Sequence, residues 1–153
     1  MMTTITIAEL LQDKARQTAT SALFSVAPDT TIAEAISVMV TQRISSILVI
    51  ENENMQGLIT LRELLQGFNT HGSALLKFKC RDAMKVNPPV AKPDDSVDHL
   101  RGLMTEMYLS HVPVMDHGKL VGILSFHDIA RSAIKDADFE NRLLKQYIKN
   151  WPE

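Results

Sequence analysis

Apolar residues recur along this chain in two patterns, one typical of amphipathic helices and one typical of short strands. After Thr31 the apolar positions follow the i, i+3, i+4, i+7, i+8 spacing of a buried helix face, at Ile32, Ala35, Ile36, Met39 and Val40. The Thr31-x-x-Glu34 pattern in front of them is a capping box, which predicts that a helix begins there. Two apolar runs at 47–50 and 57–59, separated by the polar stretch 51–54, then predict a β-hairpin.

The same pattern returns at a constant offset of 65 residues, without a gap. The matching segments are Pro28–Ile32 with Pro93–Val97, Ser45–Val49 with Ser110–Val114, and Gly57–Glu63 with Gly122–Asp128. The second helical stripe is formed by Val97, Leu100, Leu103, Met104 and Met107. An internal repeat of this length indicates two copies of one supersecondary unit, and each copy is too small to bury its own apolar face. We therefore expect the copies to pack on each other and the functional site to lie at the seam between them.

Each repeat is predicted to run strand, helix, strand, strand, helix. The first strand is expected around Ser25–Val26 in one copy and around Pro89–Val90 in the other. The last helix is expected to begin at Leu61 and at Phe126, and the turn of the second hairpin is expected at 116–119. The predicted fold class is α/β (α+β), with two pseudo-symmetric β-α-β-β-α repeats packed on each other and a helical arm at each terminus.

The chain divides into five predicted segments. They are an N-terminal helical arm at 1–19, repeat 1 at 20–68, a linker at 69–82, repeat 2 at 83–134 and a C-terminal amphipathic helix at 135–153. A loop over Gly67–Ser73 is expected to end the first repeat. In the last segment Phe139, Leu143, Tyr147 and Trp151 recur every four residues, with Leu144 and Ile148 beside them. This stripe packs either on the protein's own body or at a dimer contact.

Length and charge limit the class of protein. With 153 residues, 45% of them hydrophobic, the chain forms one compact domain or one pair of closely packed half-domains. A formal net charge of −2 argues against the broad basic surface that nucleic-acid binding needs. No run approaches the ~18 apolar residues of a membrane span. We therefore expect a cytoplasmic protein that binds neither nucleic acid nor membrane.

The single cysteine, Cys80, cannot form an internal disulfide, which favours a reducing compartment. It lies among Lys77, Lys79 and Arg81, and cationic neighbours of this kind lower the pKa of a thiol. A redox role for Cys80 is therefore open beside the simpler interpretation of an ordinary cysteine in a linker.

The order of elements and the duplication resemble a tandem pair of CBS domains, also called a Bateman module. The motifs that carry the resemblance are Gly57-Leu58-Ile59-Thr60-x-x-Glu63, Gly122-Ile123-Leu124-Ser125-x-x-Asp128 and Ser110-His111-Val112-Pro113-Val114. The match covers roughly residues 20 to 134, and the flanking segments 8–11 and 81–84 are similar to those of small stand-alone CBS-pair proteins of bacteria. The resemblance implies a regulatory module that binds AMP, ATP, NAD or S-adenosylmethionine between the repeats, and two chains that form a flat disk.

The resemblance also implies which residues bind the ligand. In the family, the acidic residue that closes the Gly-h-h-[Thr/Ser]-x-x-Asp motif accepts hydrogen bonds from the ribose hydroxyls, and the Thr or Ser contacts the ribose or phosphate. One cleft would use Ser125 and Asp128 with Ala22, Phe24, Ser45 and Ser46. The other would use Thr60 and Glu63 with Met84, Asn87, Ser110 and His111.

The residue types fit these roles. A carboxylate only accepts hydrogen bonds, so it can offer one oxygen to each hydroxyl of a cis-diol. The Thr60-x-x-Glu63 and Ser125-x-x-Asp128 patterns are also N-capping patterns, in which the side chains only satisfy the first N–H groups of a helix. Because Glu63 is one methylene longer than the family's Asp, we expect the Asp128 cleft to bind the ligand more tightly. His111 lies where related modules present a basic residue to the phosphates, and its charge depends on pH near neutrality.

No pattern in the sequence indicates an enzyme. The chain has no Gly-x-x-x-x-Gly-Lys-[Ser/Thr] or Gly-x-Gly-x-x-Gly loop, and its five histidines and one cysteine give no closed zinc site. Two interpretations remain. The first is a ligand-sensing module for an adenine nucleotide or dinucleotide that acts on an unknown target protein. The second is a structural module that keeps the fold for dimerisation without a ligand. Exposed helix faces, for instance at Met39 and Val40, favour a homodimer in either case.

Overall fold

The computed structural model describes residues 5–17 and 23–147 of the chain. Its helices are α1 (Ile7–Gln17), α2 (Ile32–Gln42), α3 (Leu61–His71), α4 (Cys80–Ala83), α5 (Val97–Met107) and α6 (Phe126–Tyr147), with a 3₁₀ helix at Gly72–Lys77. Its strands are β1 (Ser25–Val26), β2 (Ser46–Glu51), β3 (Asn54–Thr60), β4 (His111–Asp116) and β5 (Lys119–Ser125). The predicted mixed α/β fold, with two related repeats and a C-terminal helix, is confirmed.

Each repeat contains a small sheet built on a β-hairpin. In the first repeat β1 pairs in parallel with β2, and β2 pairs antiparallel with β3. In the second repeat β4 pairs antiparallel with β5. The strand predicted around Pro89–Val90 is wrong, since it is reduced to one parallel bridge between Ala91 and Val114. Pro88 and Pro89 have no backbone N–H to donate to a ladder, which limits pairing on this side of the sheet.

Both hairpins turn through residues with a left-handed backbone conformation. Asn52 and Glu53 have φ of 51° and 66°, and His117 and Gly118 have φ of 50° and 80°. Two central residues with positive φ are the feature of a type I′ turn, whose twist matches that of the flanking strands. The two predicted hairpins are therefore confirmed, and their turns lie inside the predicted polar stretches.

Helices α2 and α5 begin at the predicted caps. The Thr31 hydroxyl accepts a hydrogen bond from the Glu34 backbone N–H at 3.2 Å, and the Ser96 hydroxyl accepts one from His99 at 3.0 Å. In α2 the predicted stripe is buried at Ile32, Ala35 and Met39, whereas Val40 is 71% exposed. Of the two residues expected on an exposed helix face, Val40 is therefore exposed and Met39 belongs to the core.

Each repeat's core is completed by a segment that precedes the other repeat. We call these segments, 5–11 and 78–84, the lead-in segments. Segment 5–11 docks on the second repeat, where Ile7 N donates to Asp95 O at 2.9 Å and Val97 N donates to Ile5 O at 3.0 Å. Segment 78–84 docks on the first repeat in the same way, where Cys80 N donates to Thr30 O at 2.8 Å. Ile7 and Cys80 are fully buried in the two cores, so the lead-in segments cross between the repeats.

The position of Cys80 in a core argues against the redox role that the sequence left open. Burial and the nearby Glu34 carboxylate raise the pKa of Cys80 to about 11. The neighbouring cations, Lys77, Lys79 and Arg81, lie on the surface instead. Cys80 is therefore a packed core residue that is protonated at neutral pH.

The first repeat does not end in the predicted loop over Gly67–Ser73. Helix α3 continues to His71, and the 3₁₀ helix follows at once. Leu75 of that helix is buried, and a Cβ added to Gly67 would lie 2.7 Å from Leu75 Cδ1. Gly67 therefore marks a close approach between two packed elements, and its reading as a loop residue is wrong.

Helix α6 runs without interruption through 134–135, where the last helix of repeat 2 and a separate C-terminal helix were expected to meet. Phe139, Leu143 and Leu144 are exposed on it. Ile148 and Trp151 of the predicted stripe lie outside the described residues. Within the described residues the protein's own body leaves these three side chains uncovered, and no helix there is both long and apolar enough to cross a membrane.

Candidate ligand clefts at the seam between the repeats

Two clefts open at the seam. Cleft 1 has a volume of about 330 Å³, and its lining includes Lys14, Phe24, Arg43, Ser45, Ser46, His111 and Ser125. Cleft 2 has a volume of about 310 Å³, and its lining includes Ser45, Thr60, Arg62, Glu63, Lys85, Tyr108, Ser110 and His111. Both volumes are in the range of small-molecule sites. Each cleft takes residues from both repeats, and Ser45 and His111 belong to both clefts.

His111, the first residue of β4, forms the wall that separates the clefts. Its Nε2 atom lies 3.1 Å from the Ser45 hydroxyl, and its Nδ1 atom lies 2.9 Å from the Ser110 hydroxyl. Burial is the main cause that lowers the pKa of His111 below 6.5, and the Lys14 ammonium adds to it, while Asp128 and Glu63 act in the opposite direction. A neutral imidazole that bridges two serines is a positioning group and a poor anchor for phosphate at pH 7.

Asp128 lies behind cleft 1 and is not part of its lining. It is 4% exposed, and it closes a reciprocal cap at the start of α6, where Asp128 Oδ2 accepts from Ser125 N at 2.9 Å and Ser125 Oγ accepts from Asp128 N at 3.1 Å. Lys14 Nζ lies 2.9 Å from Oδ2, and Arg131 Nη2 lies 2.9 Å from Oδ1. Both carboxylate oxygens are therefore engaged inside the protein.

These partners keep Asp128 ionised. Burial by itself would raise the pKa of Asp128, but the hydrogen bond from the Ser125 backbone and the Lys14 ammonium outweigh burial and lower the pKa below 3.8. An ionised, buried carboxylate that already has two cations has little capacity left for hydroxyl donors.

Glu63 occupies the equivalent position at the start of α3, and it does line cleft 2. Its Oε1 atom accepts from the Thr60 backbone N–H at 2.7 Å and from the Thr60 hydroxyl at 2.6 Å, so this capping box is complete. In the described part of the chain Glu63 Oε2 makes no hydrogen bond or ion pair. The longer side chain thus caps the helix with one oxygen, leaves the other without a partner among the described residues, and lines the cleft.

Three of the twelve residues predicted for the clefts, Asp128, Met84 and Asn87, do not line them. Ala22 lies outside the described residues. Met84 packs into the first core and against Gly57, and Asn87 is exposed away from cleft 2. The position near them that does line cleft 2 is Lys85, which forms a backbone bridge with Leu58. The prediction for Ala22 is not tested, and Asp128, Met84 and Asn87 depart from the lining predicted for the two clefts.

The lining residues that were not predicted include Lys14, Arg43, Lys85 and Tyr108. Arg43 and Tyr108 occupy equivalent positions in the two repeats, where each ends its helix in a left-handed conformation, with φ of 55° and 53°. The offset of 65 residues could therefore have identified Arg43 and Tyr108 as an equivalent pair from the sequence. Lys14 had no such signal, because α1 reaches the second repeat only through the crossing of the lead-in segments. In the described residues no group of three or more His, Cys, Asp or Glu side chains is placed to hold a metal ion.

Comparison with known proteins places the chain in a family. The model of the CBS domain matches residues 15–69 and 80–135. A 17.7 kDa protein of Acidianus ambivalens is 30% identical over 125 residues, which covers 79% of this chain and 73% of that protein. Relatives that carry enzyme names are covered over only 23% to 31% of their length.

Solved structures agree in fold over most of the chain. A putative signal-transduction protein with CBS domains from Burkholderia ambifaria is 26% identical with a TM-score of 0.79, covering 86% of this chain and 96% of that one. The structure of CBSX2 in complex with AMP is 25% identical with a TM-score of 0.69, covering 85% and 96% of the two chains. The chain, with its duplicated unit of helix, β-hairpin and helix and its paired clefts, therefore belongs to the CBS domain family as a tandem CBS pair.

Proposed function

We propose that this CBS pair is a non-catalytic regulatory module that binds an adenosine-containing ligand of the AMP, ATP or NAD type at the seam. The observation that carries the proposal is cleft 2, a cavity of about 310 Å³ bounded by both repeats and lined by Glu63, whose Oε2 atom has no partner among the described residues. The AMP complex of CBSX2 supports the ligand class, since that protein has the same fold.

In this proposal Glu63 is the acceptor for the ribose hydroxyls. The sequence pattern favoured Asp128, because Asp is the usual residue at this position of the motif. The geometry favours Glu63 instead, since the oxygens of Asp128 are held by Lys14 and Arg131. At the position equivalent to Arg131 the first repeat has Gln66, which brings no positive charge to Glu63. Cleft 2 is therefore the tighter site.

The remaining lining of cleft 2 suits the other parts of a nucleotide. Tyr108 is 80% exposed at the end of α5 and offers a ring face on which a base can stack. Arg62 and Lys85 provide two positive charges for phosphates, and Thr60 and Ser110 provide hydroxyl groups. Cleft 1 keeps Ser45, Ser46 and Ser125 with the ring of Phe24, and it serves as a second, weaker site.

Regulation requires a surface that another protein reads. The exposed apolar side chains of α3, Leu61, Leu65 and Phe68, lie beside cleft 2, and Leu61 and Leu65 are part of its lining. We propose that two copies associate through exposed helix faces of this kind, and that ligand in cleft 2 changes this surface for a target protein. In a monomer these apolar side chains remain exposed to water, which is unfavourable.

The decisive experiment measures ligand binding to the purified full chain and to Glu63→Gln. Ligand at ~100 times its dissociation constant adds about 2.7 kcal/mol to the free energy of unfolding, or roughly 5 to 11 °C in melting temperature for a chain of this size. Glu63→Gln removes the charged acceptor, so affinity for AMP, ATP or NAD should fall at least about tenfold. Asp128→Asn is the matched control and should keep the cleft 2 affinity.

The change in melting temperature that ligand induces is the quantity to compare, because both substitutions also alter a helix cap. Mass spectrometry under non-denaturing conditions identifies any adenosyl compound retained from the cell. A protein that retains none and shows no thermal response to AMP, ATP, NAD or S-adenosylmethionine would be a ligand-free structural module, and the proposed function would be wrong.

A further inference from the structure

Lys14 is the only described residue of α1 that lines a ligand cleft. It reaches the second repeat because lead-in segment 5–11 docks there, with Ile7 and Leu10 buried in the second core. A Cβ added to Gly122 of β5 would lie 2.8 Å from Leu11 Cδ2, which shows how closely α1 lies on that strand. The backbone of α1 is therefore held at a fixed distance from cleft 1.

The ammonium group of Lys14 is held by contacts with the second repeat. It donates to the Ile123 carbonyl oxygen at 2.9 Å and pairs with Asp128 Oδ2 at 2.9 Å. Its side chain is 30% exposed, whereas that of Asp128 is 6% exposed. Lys14 thus lies between the carboxylate and the cleft, in the direction from which a diol would approach Asp128.

Cleft 2 offers an internal comparison. The two lead-in segments dock in the same way, and Leu11 and Met84 are equivalent because they approach Gly122 and Gly57 respectively. Lys14 lies three residues after Leu11, and Asn87 lies three residues after Met84, so Asn87 is the equivalent of Lys14. Asn87 is neutral and does not line cleft 2, and Glu63 lines that cleft directly. The surroundings of the two acidic residues therefore differ in Lys14 and in Arg131, and of these two cations only Lys14 lines a ligand cleft.

We infer that Lys14 is a specificity-determining residue that closes cleft 1 to a ribose diol and leaves it to ligands that bring an anionic group. The inference rests on the proposed function, because it assigns different ligand chemistry to the two clefts of the same module. A diol cannot displace an ammonium from a carboxylate without breaking a charge-assisted hydrogen bond in a nearly buried site. A phosphate oxygen, by contrast, can accept from Lys14 and from the hydroxyls of Ser45 and Ser125.

Adenosine is the probe that separates these chemistries, since it has the diol and lacks a phosphate. Calorimetry should find one adenosine per wild-type chain, in cleft 2. Lys14→Ala should bind two, because the side chain that covers Asp128 is gone, and the affinity of cleft 1 for adenosine should rise at least tenfold. Lys14→Gln, which keeps most of the length without the charge, should give an intermediate gain. Arg16→Ala on the same helix is the matched control, since Arg16 pairs with Asp13 on the surface and should leave the number of sites at one.

Circular dichroism and melting curves establish that each variant is folded before binding is measured. If Lys14→Ala and Lys14→Gln are folded and still bind a single adenosine, Lys14 does not set the selectivity of cleft 1 and the inference is wrong. If the wild type binds none but Lys14→Ala binds one, the inference stands and the assignment of cleft 2 fails. If none of the chains binds adenosine, the inference fails, whereas the proposed function stands or falls with the binding of AMP, ATP or NAD to the wild type.

Discussion

Two acidic residues at equivalent positions of a repeat can have different roles, and the difference comes from their neighbours. Glu63 and Asp128 both cap a helix, as the sequence patterns allowed. Capping and ligand binding are compatible at Glu63, because a carboxylate has two oxygens and the cap uses one. At Asp128 the cap, Lys14 and Arg131 together use both. Whether the carboxylate can bind a ligand therefore depends more on the charged side chains beside it than on whether the residue is Asp or Glu.

His111 makes the stability of the fold depend on pH. Its pKa is lowered in the folded protein, so between that lowered value and 6.5 the unfolded chain binds a proton that the folded chain does not. Acidification through this window therefore favours unfolding. We expect the melting temperature of the wild type to fall more between pH 8 and pH 5.5 than that of His111→Gln.

The groups that face His111 are Lys14, Asp128 and Glu63, and each is present in both proteins, so the comparison isolates the imidazole. His99→Gln, at an exposed position of α5, is the matched control for the loss of a histidine. Equal pH dependence in the wild type and in His111→Gln would show that the buried histidine does not contribute.

At the scale of elements, the sequence was sufficient wherever the signal was local. The hairpins and the starts of α2 and α5 depend on residues within a few positions of each other, such as Thr31 with Glu34, and the structure confirms them. The strand predicted at Pro89–Val90 and the loop predicted at Gly67 were wrong, because Pro88 and Pro89 have no N–H donors and Gly67 packs closely against Leu75. Whether the last apolar residue of a helix stripe is buried, as at Val40 in α2, depends on what packs beside the helix and is not a local property of the sequence.

What the sequence could not give were contacts between distant segments. Lys14 and Asp128 meet because the lead-in segments cross, and an alignment of repeat on repeat contains no information about that crossing. The same fact explains Cys80, whose sequence neighbours are cationic while its spatial neighbours are apolar. The family motif located the two clefts, but it could not state which carboxylate was already paired.

The lead-in segments make two equivalent glycines unequal. An alanine Cβ at Gly57 would lie 2.6 Å from Met84 Sδ and 2.8 Å from Lys85 O, whereas at Gly122 it would meet Leu11 Cδ2 at 2.8 Å. Lys85 O accepts from Leu58 N at 3.0 Å, so it cannot retreat without loss of that hydrogen bond. The end of a leucine side chain can move more cheaply. Gly57→Ala should therefore lower the free energy of unfolding by about 1–3 kcal/mol, and Gly122→Ala by clearly less.

Urea denaturation of both variants checks this, with the slope of each transition compared to confirm that the unfolded states are alike. Equal losses for the two alanine variants would mean that the backbone at Lys85 is free to shift and that the two lead-in segments are equally tolerant.

At the scale of the whole molecule, the helices present more apolar surface than a monomer of this size should leave in water. Leu65 and Phe68 on α3 and Phe139 on α6 are all exposed. We expect a homodimer at micromolar concentration by light scattering. Phe68→Glu should weaken self-association at least about tenfold, because it places a charge in an apolar contact. Asn69→Glu, at the neighbouring exposed position of α3, is the matched control. A wild-type protein that is monomeric at these concentrations would contradict the proposed assembly.

The crossing of the lead-in segments fixes an order in time during synthesis. Segment 5–11 leaves the ribosome first, but the backbone that holds it, at 93–97, is made much later. At about 5–20 residues per second, the apolar side chains of Ile7 and Leu10 wait on the order of 5 to 20 s for their core. The first repeat, by contrast, closes as soon as residues 78–84 follow it. The two repeats have the same fold, yet the core of the first repeat is completed by a segment made after it, and the core of the second repeat is completed by a segment made before it.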